Sequence, residues 1–189
     1  MPFQSRRISP DSFKSSITAT KLAKQEPWWT PGSASGYHSW TYGFLVGQLV
    51  RKTTGKTLKD FVAQEIAGPL VVDLEIGASA KNWHRISLVF PALKASLPQT
   101  DTSSISAKSF GNLPLDPSVV DSPSWREAEI GSANVYGNAL SIATMLSCIS
   151  LGGEANGVSF LSNETIDLIF QEQSKGIDLV TGQNIRFGI

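Results

Sequence analysis

The chain has 189 residues, 41% of them hydrophobic and 17% charged, with 16 basic and 16 acidic side chains and so no formal net charge. That length suffices for one domain with a sizeable core, and a mean hydropathy of −0.04 fits a soluble globular class. The balanced, sparse charge excludes a basic stripe for nucleic acid or an acidic tail as the basis of function.

Residues 1–26 are polar and Ser/Thr/Lys-rich without clear periodicity, and read as a poorly anchored N-terminal arm. No apolar stretch follows the Arg6-Arg7 pair, so no signal peptide is expected. No run approaches the ~18 apolar residues of a membrane span, which leaves the cytoplasm as the default setting and no membrane partner. From Ser39, as N-cap, Trp40, Phe44, Leu45, Leu49 and Val50 follow helical spacing to a stop at Gly55. Thr57 and Asp60 form a capping-box-like pair before a second helix with the apolar face Leu58, Phe61, Val62 and Ile66. Gly68-Pro69 is expected to end it, because proline has no N–H for the next hydrogen bond.

Val71 to Ile76 and His84 to Phe90 are short extended candidates, and Leu97 to Val120 reads as a long surface loop. A third helix is predicted from Asn138 to Leu151, with Ala139, Ile142, Ala143, Leu146 and Ile149 inward and Gly152-Gly153 closing it. Cys148, the single cysteine, sits in that helix as a small packed residue; a disulfide within the chain and a Cys-rich metal site are both excluded. A fourth helix begins at the Ser162 cap, with Leu161 and Ile166 as a hydrophobic staple, and runs through Ile169 and Phe170 toward Gly176. Ile185 to Ile189 reads as a strand interrupted mid-run. The pattern is helix-rich, with a few strands that lack obvious partners.

The chemistry-bearing residues are few. His38 and His84 are the only histidines, so a three-His metal site is impossible, and no metal or organic cofactor is implied. Gly55-Lys56-Thr57 imitates the end of a phosphate loop, but Val50 stands where that loop needs glycine. Gly32-Ser33-Ala34-Ser35-Gly36 imitates a nucleophile elbow, with its second serine one place late and no strand before it. Tyr37, His38 and Ser39 remain, side by side after the Pro31-Gly32 turn. A tyrosine serves as a base only when a neighbouring cation lowers its pKa from near 10.

The stretch from Pro27 to Leu70 closely resembles the serine beta-lactamase-related family, in its class C-like branch of esterases, transesterases and lovastatin-type acyltransferases. The motifs fall in the family's order: the Pro31-Gly32 turn, Tyr37 of a Tyr-x-Asn-type motif, Gly55-Lys56-Thr57, and Ile66-Ala67-Gly68-Pro69-Leu70. Downstream, Ser122-Pro123-Ser124-Trp125-Arg126, Asn138 to Ala143, Gly152-Gly153-Glu154, Leu161 to Thr165 and Arg186-Phe187-Gly188 continue the likeness. The resemblance implies an α+β fold, a partial beta-lactamase/transpeptidase-like fold over residues 27–189, mostly its helical lobe with few strands of the antiparallel sheet. It implies acyl transfer through a serine ester: a Ser-x-x-Lys motif supplies nucleophile and lysine, and the tyrosine moves protons. Tyr37 takes the catalytic tyrosine's place, and Ser39 the position where asparagine is common, with part of its substrate hydrogen bonding. His38 is the variable middle residue, a neighbour and not a base.

The departures are as informative. No Ser-x-x-Lys occurs in the 189 residues; Thr18-Ala19-Thr20-Lys21 is the closest spelling, and it lies too near Tyr37. A Lys-Thr-Gly or His-x-Gly motif after Arg186-Phe187-Gly188 is absent too. The expectation is therefore a fragment of a serine hydrolase or acyltransferase, inactive alone and exposing apolar surface. Its full-length relative would take a small-molecule ester or acyl substrate; protein partners are unspecified. The alternative is a degenerate relative that binds or interacts without catalysis.

Overall fold

Apolar spacing and glycine stops organise the helices, and the computed structural model describes residues 15–90, 103–111 and 117–188. Within the stretch expected as a poorly anchored arm, Ser15–Ala23 form helix α1. Ala19 is buried and Leu22 packs against Phe44 and Trp125, so this part of the arm is anchored by an apolar face. Residues 1–14 lie outside the described residues.

Helix α2 spans Tyr42–Thr54, with Thr41 and not Ser39 at its N-cap. The Trp40 carbonyl, which would accept an early helical bond if Ser39 were the cap, instead accepts the Ser132 hydroxyl. The Phe44 N–H then turns to the Thr41 carbonyl at 3.2 Å. Gly55 stops the helix as expected, left-handed at φ 75° with its N–H on the Arg51 carbonyl.

Thr57 caps α3, Leu58–Phe61, by accepting the Asp60 N–H at 3.0 Å. Its hydroxyl also donates to Asp60 Oδ2 at 2.7 Å, a shortened version of the reciprocal box. Gly68-Pro69 does not end this helix. The chain widens into a π-turn over Val62–Ala67 and continues as α4, Gly68–Leu70. With Gly68 N–H reaching back to the Ala63 carbonyl, the wider turn accommodates a proline that has no N–H to place.

Strand β1 is Leu74–Ile76, shorter than the extended run expected from Val71. His84 to Phe90 is not a strand: Ala80–Arg85 form a 3₁₀ turn. Trp83 Nε1 donates to the Ala78 carbonyl and Arg85 pairs with Asp73, which folds the turn back on β1. The expected loop from Leu97 to Val120 contains helix α5, Ile105–Gly111, and a 3₁₀ turn, Pro117–Asp121. Residues 97–102 and 112–116 of that stretch lie outside the described residues. Ser122 caps α6, Pro123–Glu127.

Strand β2, Val135–Gly137, pairs antiparallel with β1, Glu75 opposite Tyr136. Helix α7, Ala139–Ser150, lies where a helix was predicted and is capped by Asn138, but the buried face differs. Ser141 and Cys148 are buried, with Met145 packed between core clusters, whereas Ile142 and Leu146 are exposed. Ser141 earns its inward place through two polar contacts: its hydroxyl reaches Asn138 Oδ1 and accepts the Asp73 N–H at 3.0 Å.

Past Gly152 and Gly153, strands β3, Glu154–Ala155, and β4, Val158–Ser159, pair across Asn156-Gly157, both at positive φ. Gly153 has φ +95°, and a Cβ there would lie 1.9 Å from the Leu161 carbonyl oxygen. Gly153→Ala is expected to destabilise the chain by more than about 1 kcal/mol, read as a fall in thermal midpoint. An unchanged midpoint would contradict this packing.

Helix α8, Asn163–Phe170, starts at Ser162 as expected and stops well before Gly176. The chain closes with a hairpin of β5, Ser174–Ile177, and β6, Asn184–Phe187. The strands thus form separate two-stranded antiparallel pairs among the described residues. One core region joins Leu58, Val62, Leu74 and Ile76 to Leu70, Cys148 and Ala155 through Ile66, Val72 and Met145. Another gathers Phe44, Trp125 and Ile130 below Trp40, whose ring meets Trp125 edge-on at 6.0 Å. The expected apolar surface is present: Leu140 is 77% exposed, Leu146 53% and Phe170 68%.

Candidate functional site

The segment that carries Tyr37 is fixed from several sides. At its start, the Ser33 N–H and hydroxyl both reach the Thr30 carbonyl, and Trp29 Nε1 donates to the Ala34 carbonyl. Gly36 fits between Trp29 and Val180, where a side chain would meet the Trp29 ring at 2.5 Å. The Leu179 N–H donates to the Ser35 carbonyl at 2.9 Å, joining the segment to the β5–β6 turn. At its far end, the Gly131-Ser132 loop lies directly on Gly43. That loop is itself held by buried Asn134, which accepts the Ile130 N–H and donates to the Trp125 and Ala128 carbonyls.

These constraints present Tyr37, half exposed, at the side of a groove of about 500 Å³. Trp28, Trp29, Trp40 and Leu22 give it aromatic and aliphatic walls, and Glu26 and Lys108 bring charge to it. Ser39 lines the same groove, so the structure brings the two sequence-predicted site residues together. Lys108 comes from α5, inside the stretch expected as loop; from sequence, Ser104 to Lys108 fails as a Ser-x-x-Lys motif by its spacing and its place after Tyr37, which gave no sign that Lys108 lines this groove.

His38 also lines the groove; its Nε2 is hydrogen-bonded to the Thr41 hydroxyl and its ring is tilted against Tyr42 at 6.2 Å. Partial burial holds its pKa below the usual histidine value of 6.5. A base with a lowered folded pKa contributes stability that is present above the unfolded value of 6.5 and lost as pH falls through the folded value. The expected result is an NMR titration midpoint for His38 below 6.5; a midpoint above it would contradict the burial argument.

Behind the segment sits Asp178, fully buried, which the sequence reading did not single out. Its Oδ1 accepts from the Val180 N–H at 3.0 Å, the Thr181 N–H at 2.7 Å and the Thr181 hydroxyl at 3.1 Å. Burial pushes its pKa up, but the N–H groups of Thr181, Tyr37 and Val180 and the Thr181 hydroxyl outweigh that and hold it below 3.8. The Asp-x-x-Thr-Gly spelling between two extended runs is a turn signal that would have marked it.

A second groove, of about 620 Å³, shares Trp40 and is lined by Asp73, Glu75, Asn82, Arg85 and Tyr136. Within it Arg85 pairs with Asp73, and Asn82 donates to Glu75 at 2.9 Å. Among the described residues, no cluster of His, Cys, Asp and Glu is placed to hold a metal ion, and no helix is long and apolar enough to cross a membrane.

Comparison with known proteins places this geometry. Residues 10–189 match the family profile described as Beta-lactamase. The sequence is 31% identical over 165 residues to the esterase/beta-lactamase LipL of Mycobacterium tuberculosis, covering 70% of this chain and 33% of that protein. The fold matches a penicillin-binding protein homolog from Caulobacter crescentus with TM-score 0.80 and 30% identity, covering 100% of this chain and 49% of that one. It matches EstA from Arthrobacter nitroguajacolicus Rue61a with TM-score 0.82 and 28% identity, covering 94% of this chain and 49% of that one. A family VIII carboxylesterase gives TM-score 0.82 and 27% identity, with 94% and 47% covered. The chain spans between a third and half of these relatives' lengths. By sequence and by partial α+β fold, it belongs to the beta-lactamase family.

Proposed function

We propose that this chain is the tyrosine-bearing middle portion of a serine hydrolase or acyltransferase, with Tyr37 as its proton-transfer group. The observation that carries the reading is the rigid placement of a half-exposed Tyr37 on the groove wall, in a fold shared with carboxylesterases. In this reading a serine outside the 189 residues attacks the carbonyl of a small ester or acyl compound. Tyr37 accepts the proton of that serine and passes it to the leaving group; a water or acceptor hydroxyl then attacks the acyl-serine, and Tyr37 takes its proton and returns it to the departing serine oxygen. A lysine next to the serine supplies the cation that a phenol needs for this work. Ser39, on the same wall, offers one hydroxyl to hold the substrate.

The chain alone is then inactive, because the groups of such a site work as a unit. The test is a chimera in which residues 15–189 replace the matching half of an active family VIII carboxylesterase. Turnover of p-nitrophenyl esters by the folded chimera is expected. A folded chimera without turnover would favour the second reading, a non-catalytic binding relative, for which the missing Ser-x-x-Lys speaks.

A further inference from the structure

We propose that Asp178 is a positioning residue for Tyr37, clamping the Ser35-Gly36-Tyr37 backbone from behind through the β5–β6 turn. The proposal rests on the reading of Tyr37 as the proton-transfer group, and adds to it the residue that sets the phenol's location. Asp178 is 0% exposed, the most deeply buried charged side chain among the described residues. A carboxylate is costly to bury, and it is retained where its hydrogen bonds hold a specific geometry.

Its Oδ1 gathers the Val180 N–H, the Thr181 N–H and the Thr181 hydroxyl, which folds residues 178–181 into a tight turn. The Asp178 carbonyl accepts the Gly182 N–H, and its own N–H donates to the Gln183 carbonyl, closing the hairpin on both sides. The turn so built delivers two contacts to the catalytic segment: the Leu179 N–H on the Ser35 carbonyl, and Val180 against Gly36. The Tyr37 peptide N–H also helps hold the Asp178 carboxyl below its usual pKa. Ser35 and Gly36, the two residues that lead into Tyr37, are thereby tied to the turn that one side chain holds. The groups acting on Asp178 are N–H dipoles and a hydroxyl, so the clamp is directional and requires no counter-ion.

The test is amide hydrogen exchange and NMR on the 189-residue chain, which need no turnover and so stand apart from the Tyr37 reading. In Asp178→Ala, exchange at the Tyr37 and Leu179 amides should accelerate at least about tenfold, and the Tyr37 ring resonances should move toward free-tyrosine positions. Amides of α7 should keep their rates. Asp178→Asn retains one acceptor oxygen, and should fall between the wild type and Asp178→Ala. Should Asp178→Ala fail to fold, the Asp178→Asn shift at Tyr37 decides. Unchanged Tyr37 exchange and ring resonances, or an even acceleration that includes α7, would overturn the proposal. A chimera indifferent to Tyr37→Phe would sink the catalytic reading while leaving the exchange result intact.

Discussion

Tyr37→Phe, introduced into a chimera that joins residues 15–189 to the other half of an active carboxylesterase, should cut ester turnover by about 10²–10⁴-fold. The substitution removes only the phenol oxygen, and the ring is half exposed, so little packing is lost with it. The segment beneath stays fixed by Leu179 on Ser35, by Trp29 on Ala34 and by Ser132 on Trp40, none of which uses the hydroxyl. Substrate binding in the aromatic groove should therefore persist, and the loss should appear in kcat more than in KM. A fall of under about threefold in kcat, with the chimera still folded, would show that Tyr37 moves no proton in the slow step.

Leu70→Ala should destabilise the chain by about 2–5 kcal/mol, measured as a shift of the urea midpoint at constant slope. Leu70 is 1% exposed and packs with Cys148 and Ala155, bringing α4, α7 and β3 together. Its carbonyl also accepts the Asn156 side-chain amide at 3.0 Å, so the backbone there is pinned and cannot collapse into the cavity. Cavities that cannot relax are the costly ones. A change of less than about 0.5 kcal/mol would show that α4 is not part of the shared core.

Local chemistry was legible wherever the signal lies within a few residues. The caps at Thr57 and Ser162 and the stop at Gly55 are each a side chain or glycine acting on its own turn. The Asn156-Gly157 hairpin belongs to the same class and was available in the sequence, although the short strands around it hid it. Helix α7 shows where periodicity fails. Leu140, Ile142, Leu146 and Leu151 are exposed while Ser141 is buried, because the helix is apolar nearly all round and contacts decide which side turns inward. Pro69 misled for a related reason: a π-turn removes the conflict that makes proline a helix breaker, and no residue pattern announces it.

At the site, Tyr37 and Ser39 could be named from their motif and its order along the chain. What surrounds them could not. Lys108 reaches the groove from a helix hidden in a Ser- and Pro-rich stretch, and the turn that Asp178 holds meets Ser35 and Gly36 across most of the chain. The placement of Ser39 beside Tyr37 was legible, but the cap expected at Ser39 falls to Thr41. The Ser132 hydroxyl on the Trp40 carbonyl, a contact distant in sequence, moves the helix start to Tyr42.

In the proposed function this chain supplies the tyrosine of an acyl-transfer site and not its nucleophile. Intact-mass measurement after incubating the purified 189-residue chain with a fluorophosphonate probe tests this most directly. No covalent adduct is expected, and no p-nitrophenyl ester turnover above that of the Tyr37→Phe chain. A stoichiometric adduct on one serine of this chain, lost on Tyr37→Phe, would contradict it.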